Sequence, residues 1–259
     1  MSSSNAPLLK VEGLDLAFGG FHALTDVDFE VPQGGIVGLV GPNGAGKSSL
    51  LNVISGLYIG SAGTVTFQGE QLGGLPPWKV ALRGVARTFQ NVELVEGISL
   101  SDNVMLGMHQ ETKASLVEAL LHVGRARTEE RAGHAKAAEL LELVGLGGRG
   151  ADLVNSLSFA EKKLVEIARA LMMSPTLMLL DEPASGMSAM DKTALVRVLR
   201  RLREQSGLTQ VLVEHDMAVV SAACDSIVVL DAGKIIAVGP PLEVLKQQNV
   251  IDAYLGREE

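Results

Sequence analysis

Gly41-Pro42-Asn43-Gly44-Ala45-Gly46-Lys47-Ser48 is the stretch that decides the fold of this chain. It fits the pattern G-x-x-x-x-G-K-[ST] at Gly41, Gly46, Lys47 and Ser48. Glycines at positions 41, 44 and 46 let the backbone curl with its N–H groups turned inward, which makes a nest for phosphate oxygens. The run before it, Gly35 to Val40 (GIVGLV), is short and apolar and reads as a buried strand. From Lys47 to about Ser55 the pattern is helical, with Gly56 where a C-terminal cap belongs. In that setting the helix N-terminus adds its partial positive charge to the nest. Lys47 brings a point charge to the outer phosphates of a nucleotide, and Ser48 offers a hydroxyl to Mg²⁺. The expected phosphate cradle is Gly41, Asn43, Gly44, Ala45, Gly46, Lys47, Ser48 and Ser49. The competing reading, a glycine-rich turn before an ordinary helix, is disfavoured by the strand on one side and the helix on the other.

Outward from the loop, apolar runs and helical patterns alternate: Thr176 to Leu180, Lys192 to Glu204, Gln210 to Glu214, Met217 to Ala223, Ser226 to Leu230. Such alternation means βαβ units and a parallel sheet. Leu8 to Val31 has short alternating runs around Gly19-Gly20, which predicts antiparallel strands and a turn, and Thr64 to Gln68 reads as a further strand. Between Leu100 and Leu146 the periodicity is helical, and Arg125 to Arg131 carries both signs of charge like a solvated helix face. Ser158 to Met173 reads as another strong helix, apolar on one side. The expected architecture is an α/β fold, a P-loop NTPase core with a parallel sheet. An antiparallel β part lies at the front, and a helical subdomain, residues 91–156, is inserted into a core formed by 1–90 and 157–259.

Two strand tips carry chemistry. The apolar run Leu177 to Leu180 ends in Asp181-Glu182-Pro183, which delivers two carboxylates to the sheet edge where α/β proteins bind ligands. Asp181 is placed to hold Mg²⁺, directly or through water, and Glu182 to polarise an attacking water. Val211-Leu212-Val213 is followed by Glu214-His215-Asp216, so His215 stands at an equivalent tip, where it can contact a γ-phosphate. A lone histidine there is ordinarily a cap or core residue, and only its company changes the reading.

Composition bounds the partners. The formal net charge of −8 argues against a nucleic-acid footprint. The single cysteine, Cys224, excludes an internal disulfide. No apolar run approaches the roughly 20 residues of a membrane span, and Met1 to Pro7 lacks the apolar region of a secretory signal. The expectation is a cytoplasmic chain that meets a membrane only through other proteins.

Taken together, these motifs resemble the nucleotide-binding subunits of ABC transporters over nearly the whole chain. Gly41 to Ser48 resembles Walker A, and Thr176 to Asp181 resembles Walker B with Glu182 as catalytic glutamate. Gln90 of Arg87-Thr88-Phe89-Gln90 resembles the Q-loop glutamine, Ser185 to Asp191 the D-loop, and His215 the switch histidine. Phe18 matches the aromatic that stacks on adenine, with packing in the β part as the competing reading. Phe18-Gly19-Gly20, Arg87 to Asn91, Glu182 to Met187, Glu214 to Met217 and Ala253 to Gly256 are similar to the ATPases of branched-chain amino acid importers. The resemblance implies ATP and Mg²⁺ as ligands, with Ser48, Gln90 and Asp181 around the metal. It also implies a head-to-tail dimer with a second ABC ATPase, often a different chain. Permease subunits, an indirectly coupled solute-binding protein and a place on the cytoplasmic face of the inner membrane complete the expectation.

The signature loop departs from the family. Where L-S-G-G-Q is usual, this chain has Leu157-Ser158-Phe159-Ala160-Glu161. Ser158 can still contact the nucleotide of the opposing chain. The Ala160 methyl is expected to crowd the backbone's approach to that phosphate, and Glu161 to bring a negative charge near it. Two other functions compete. One is a soluble ABC ATPase in repair, cluster assembly or translation; repair types carry long coiled coils and translation types two ATPase domains in one chain, and neither feature is read in this sequence. A nucleotide-gated scaffold without turnover would not need both Glu182 and His215.

Overall fold

The computed structural model describes residues 6–88, 93–108 and 125–255. The chain opens with two long strands, β1 (Leu9–Phe18) and β2 (Phe21–Val31), joined across Gly19-Gly20. Their period of two buries Leu9 and Val11, and a register shift between Val11 and Leu14 resets the parity so that Leu14 and Leu16 reach the same core. With β4 (Ala62–Phe67) and β5 (Glu70–Gln71) they form an antiparallel sheet of order β2-β1-β4-β5.

The second sheet has order β10-β9-β3-β8-β7-β6. Its parallel strands are β3 (Ile36–Val40), β6 (Val85–Arg87), β7 (Leu177–Asp181), β8 (Thr209–Val213) and β9 (Ser226–Asp231), and β10 (Lys234–Gly239) closes one edge antiparallel. Every residue of β3, β7 and β8 is buried, because the sheet is covered on both faces, and so these strands read as apolar runs broken only by Thr209 and Gln210 at the start of β8 and Asp181 at the tip of β7. Alternation decides the destination of each side chain. Ile36, Val40, Met178, Leu180 and Leu212 enter one core, while Val37, Leu39, Leu179, Val211 and Val213 enter the other, shared with the antiparallel sheet.

Helix α1 (Lys47–Ile54) leaves the tip of β3, and α2 (Pro77–Leu82) precedes β6. Between β6 and β7 come α3 (Leu100–Met105), α4 (Arg125–Leu143) and α5 (Phe159–Leu171). α6 (Ala189–Ser206) joins β7 to β8, α7 (Met217–Ala223) joins β8 to β9, and α8 (Pro241–Val244) and α9 (Gln248–Leu255) follow β10. Thr128, Glu130 and Arg131 of α4 are exposed, as the mixed charge predicts. α3 packs on both α4 and α5. Its wholly buried Asn103 accepts from the Val95 N–H at 2.8 Å and donates to the carbonyls of Val95 and Ser99, which pins the preceding segment onto the helix.

The parallel strands all end along one edge of the sheet, and that edge carries the loop 41–46, Asp181-Glu182 and Glu214-His215.

Candidate functional site

The loop after β3 is built from glycine for reasons the geometry makes plain. Gly41 has φ 148°, and a Cβ there would sit 2.0 Å from the Leu230 carbonyl oxygen. Gly46 has φ 104°, and a Cβ there would sit 2.7 Å from the Ala23 carbonyl oxygen. Gly46 is the N-cap of α1, so the N–H groups of Lys47, Ser48 and Ser49 begin the helix without intrahelical acceptors. The Lys47 Nζ donates to the Gly41 and Pro42 carbonyls, each at 2.8 Å, so its stem folds back beneath the loop. Burial lowers the Lys47 pKa, while the charges of Glu182 and Asp181 act in the opposite direction.

A cleft of about 310 Å³ lies over this loop. Residues 43–49 form one wall, Phe21 and Ala23 of β2 a second, and Glu182 and His215 the third. The geometry thus brings the phosphate-type cradle and the acid–histidine pair into one cavity. Glu182 has φ 48°, an uncommon backbone for a residue with a side chain. Its N–H donates to the Val213 carbonyl at 3.0 Å, which holds the turn against the tip of β8. Its Oε1 lies 2.8 Å from His215 Nε2, and with the carboxylate ionised the imidazole N–H is the donor.

Asp181 is 8 % exposed and meets Arg87 of β6, whose Nη2 donates to Oδ2 at 2.9 Å. The same guanidinium donates to Asn52 Oδ1 at 2.7 Å and Ser55 Oγ at 3.0 Å, both at the end of α1. Arg87 therefore ties this acid to the helix that follows the loop. In the sequence the stretch around Arg87 places Gln90 and matches the importer ATPases, and nothing in it ties Arg87 to Asp181. The signal available was a basic residue ending a strand next to a buried carboxylate.

Ser158 caps α5 with a reciprocal box. Its Oγ accepts from the Glu161 N–H at 3.3 Å, and its own N–H donates to Glu161 Oε2 at 2.8 Å. Glu161 also forms an ion pair with Arg149, and hydrogen bonds from Ser158 and Arg149 outweigh burial to hold its pKa down. The negative charge feared from the sequence is thus neutralised at its source. Ala160, expected to crowd the phosphate of the opposing chain, is the second residue of α5, and its partly buried side chain packs against the main core. The capping box sets the direction of the first-turn N–H groups beside it.

Gln90 lies outside the described residues. Phe18 is not part of the cleft wall. It packs edge-on against Tyr58, ring centroids 5.2 Å apart, and Phe21, across the Gly19-Gly20 turn, lines the cleft instead. The two aromatics flank the same turn, and the sequence alone does not rank them.

Oxygen donors suit Mg²⁺, and the Ser48 hydroxyl and the Asp181 and Glu182 carboxylates supply them beside the loop. Among the described residues no group of three or more His, Cys, Asp or Glu side chains is placed to hold a metal ion. Mg²⁺ commonly takes one or two carboxylates together with substrate phosphates, and the donors beside the loop suit that mode.

Comparison with known proteins gives one consistent result. The sequence profile described as "ABC transporter" matches residues 24–185. The chain is 35% identical over 250 residues to the high-affinity branched-chain amino acid transport ATP-binding protein BraF of Pseudomonas aeruginosa, covering 96% of this chain and 98% of that one. Among solved structures it is similar to the ADP conformation of MJ1267, an ATP-binding cassette of an ABC transporter, with TM-score 0.85 and 30% identity, covering 97% of this chain and 100% of that one. It is also similar to a dimeric post-hydrolysis state of the ATP-binding cassette MJ0796 bound to ADP and Pi, with TM-score 0.74 and 25% identity over 90% of this chain and 98% of that one.

Proposed function

The chain belongs to the ABC transporter family, as an ATP-hydrolysing importer subunit, and on that premise we propose that its cleft holds ATP with Mg²⁺ between the loop 41–49 and the Glu182–His215 pair. The observation that carries this reading is the 2.8 Å Glu182–His215 contact in the same cavity wall that faces Lys47. Lys47 and the N–H groups of the loop bind the β- and γ-phosphates. Ser48 and Asp181 would hold Mg²⁺, with Gln90 as a further candidate ligand from the family resemblance. The metal, when bound, neutralises charge building on the transferred phosphoryl group. Glu182 accepts a hydrogen bond from the attacking water and orients it, and His215 fixes Glu182 through Nε2 and reaches toward the γ-phosphate. Phe21, or Phe18 after a turn movement, stacks on the base.

Ser158 and the α5 N-terminus face the nucleotide of a second ATPase chain in a head-to-tail dimer, which the likeness to a dimeric cassette supports. Among the described residues no helix is long and apolar enough to cross a membrane, so permease subunits supply the pathway. A groove of about 310 Å³ between β6, the end of α3 and α5, with Thr88, Leu106, Glu166 and Arg169 in its walls, accepts a helix of such a subunit. The likeness to BraF favours uptake of branched-chain or related amino acids at the cytoplasmic face of the inner membrane, fed by a solute-binding protein. Affinity purification of the tagged chain from detergent-solubilised membranes tests the assembly. Recovery of permease subunits and a second ATPase supports it, and recovery of the chain alone or with only soluble partners favours a non-transport ATPase.

A further inference from the structure

Glu214 is a buried acid with no part in the chemistry described so far. It directly follows β8, is 3 % exposed, and stands between two functional loops. Its Oε1 accepts from the Ala184 N–H at 2.6 Å, and its Oε2 accepts from the His215 N–H at 3.3 Å. The Asp216 N–H also acts on it favourably. The carboxylate is thus held by backbone N–H groups from both sides of the site.

The position is a costly one for a negative charge. Burial pushes the Glu214 pKa up, and the nearby Glu182 carboxylate pushes the same way. An apolar side chain of similar size would fill the space without that cost, so packing alone does not account for an acid here. What the carboxylate uniquely provides is an acceptor that reaches the loop after Glu182.

That loop needs holding. Glu182 is in the left-handed backbone region, at φ 48°, which its surroundings must enforce. Two restraints bracket it, and both come from consecutive residues of one strand end. The Val213 carbonyl holds the Glu182 N–H at 3.0 Å, and the Glu214 carboxylate holds the Ala184 N–H two residues further on. The next residue, His215, makes the 2.8 Å contact to Glu182 Oε1. The run Val213-Glu214-His215 therefore sets both ends of the acid–histidine pair. Lys47 and the phosphate-type loop hang from β3 and α1 and do not depend on this clamp.

We propose that Glu214 is a positioning residue for hydrolysis, which clamps the Ala184 N–H to the tip of β8 and so keeps Glu182 aligned with His215. The proposal rests on Glu182 being the group that orients the attacking water. Its consequence is a split: loss of the clamp slows turnover and leaves ATP binding unchanged.

The test uses Glu214→Gln, Glu214→Asp and Glu214→Leu in the intact transporter complex, with the corresponding acid of the second ATPase disabled so that only the site of this chain turns over. Glutamine keeps an oxygen for Ala184 and gives up the weaker contacts of the other oxygen, such as that to the His215 N–H at 3.3 Å, so its turnover stays within about threefold of the parent. Aspartate keeps the charge but is shorter by one C–C bond, about 1.5 Å, which takes the Ala184 contact beyond hydrogen-bond range. Its turnover falls at least tenfold at unchanged KM for ATP, and Glu214→Leu behaves the same way. Amide exchange in the peptide spanning residues 182–187 speeds up in the aspartate and leucine variants but not in glutamine, with exchange in β3 as the internal reference for folding. Parental turnover in Glu214→Asp overturns the proposal, as does a glutamine variant as slow as aspartate, or a raised KM in place of lowered turnover. A parallel complex with Glu182→Gln in this chain, and the second ATPase disabled in the same way, separates the two levels. If it still hydrolyses ATP, the assignment of Glu182 has failed. If it is inactive while Glu214→Asp is normal, only the clamp has failed.

Discussion

Replacing Ala160 by glycine restores the residue type usual at that place in the family, and the structure predicts that this does not help. The methyl packs against the main core and lies in the first turn of α5, whose entry is fixed by the Ser158–Glu161 capping box. Glycine in place of alanine in a helix costs about 1 kcal/mol. Loss of a half-buried methyl adds about 0.4 kcal/mol, half the value of a fully buried CH₂. Proximity to the helix end softens the first figure, so about 1 kcal/mol in total is expected, which lowers Tm by about 2–4 °C in a domain of this size. The N–H groups offered to the opposing nucleotide keep their direction but gain freedom, so hydrolysis at that site is unchanged or falls by up to about fivefold. The assay is phosphate release by a heteromeric complex whose copy of this chain carries Glu182→Gln, with and without Ala160→Gly. That background silences the site of this chain and leaves the one Ala160 faces. A rise of more than twofold with glycine refutes the packing argument and reinstates the methyl as an obstacle.

Lys47→Ala removes a cation and two 2.8 Å bonds to the loop carbonyls, and ATP affinity measured by calorimetry falls at least tenfold, about 1.4 kcal/mol; unchanged affinity in a folded variant refutes the role of the loop. Arg149→Met leaves the Glu161 carboxylate without its guanidinium at the mouth of α5. Because both groups are about one-third exposed the pair is worth under about 1 kcal/mol, and hydrolysis at the opposing site slows about two- to fivefold, an effect that shrinks at high salt. Leu106→Cys, on the wall of the groove beside Arg169, cross-links to a permease subunit in the intact complex, whereas free labelling without capture moves the docking site elsewhere. The native Cys224 does not interfere, since burial pushes its thiol up to about 12 and keeps it unreactive at neutral pH.

The sequence was most legible where one residue type has one physical use. Gly41 and Gly46 sit where a Cβ would strike a carbonyl, so the loop announces itself. The strands β3 and β7 are apolar on both faces up to the tip at Asp181, and need no partner to be recognised. Legibility failed where the decision is made by distant contacts. β10 gains its identity by pairing with β9 through a tight turn at Ala232-Gly233, and β6 is only three residues long and gains its identity from β7. Arg87, Arg149 and Glu214 are ordinary charges in the sequence, and only the fold brings them to Asp181, Glu161 and Ala184. The side of the helix on which the Ala160 methyl lies follows from how α5 rolls onto the core, and a motif comparison carries no information on that roll.

The most direct test of the account is transport itself, in vesicles reconstituted with the purified complex and loaded so that ATP meets only the face bearing this chain. With the parent chain, amino-acid uptake and phosphate release rise together with ATP. With Glu182→Gln in this chain and the corresponding acid disabled in the other ATPase, ATP still binds and both uptake and phosphate release fall at least a hundredfold. Phosphate release within twofold of the parent in that complex would contradict the assignment of the cleft, and uptake that continues without ATP would contradict the coupling.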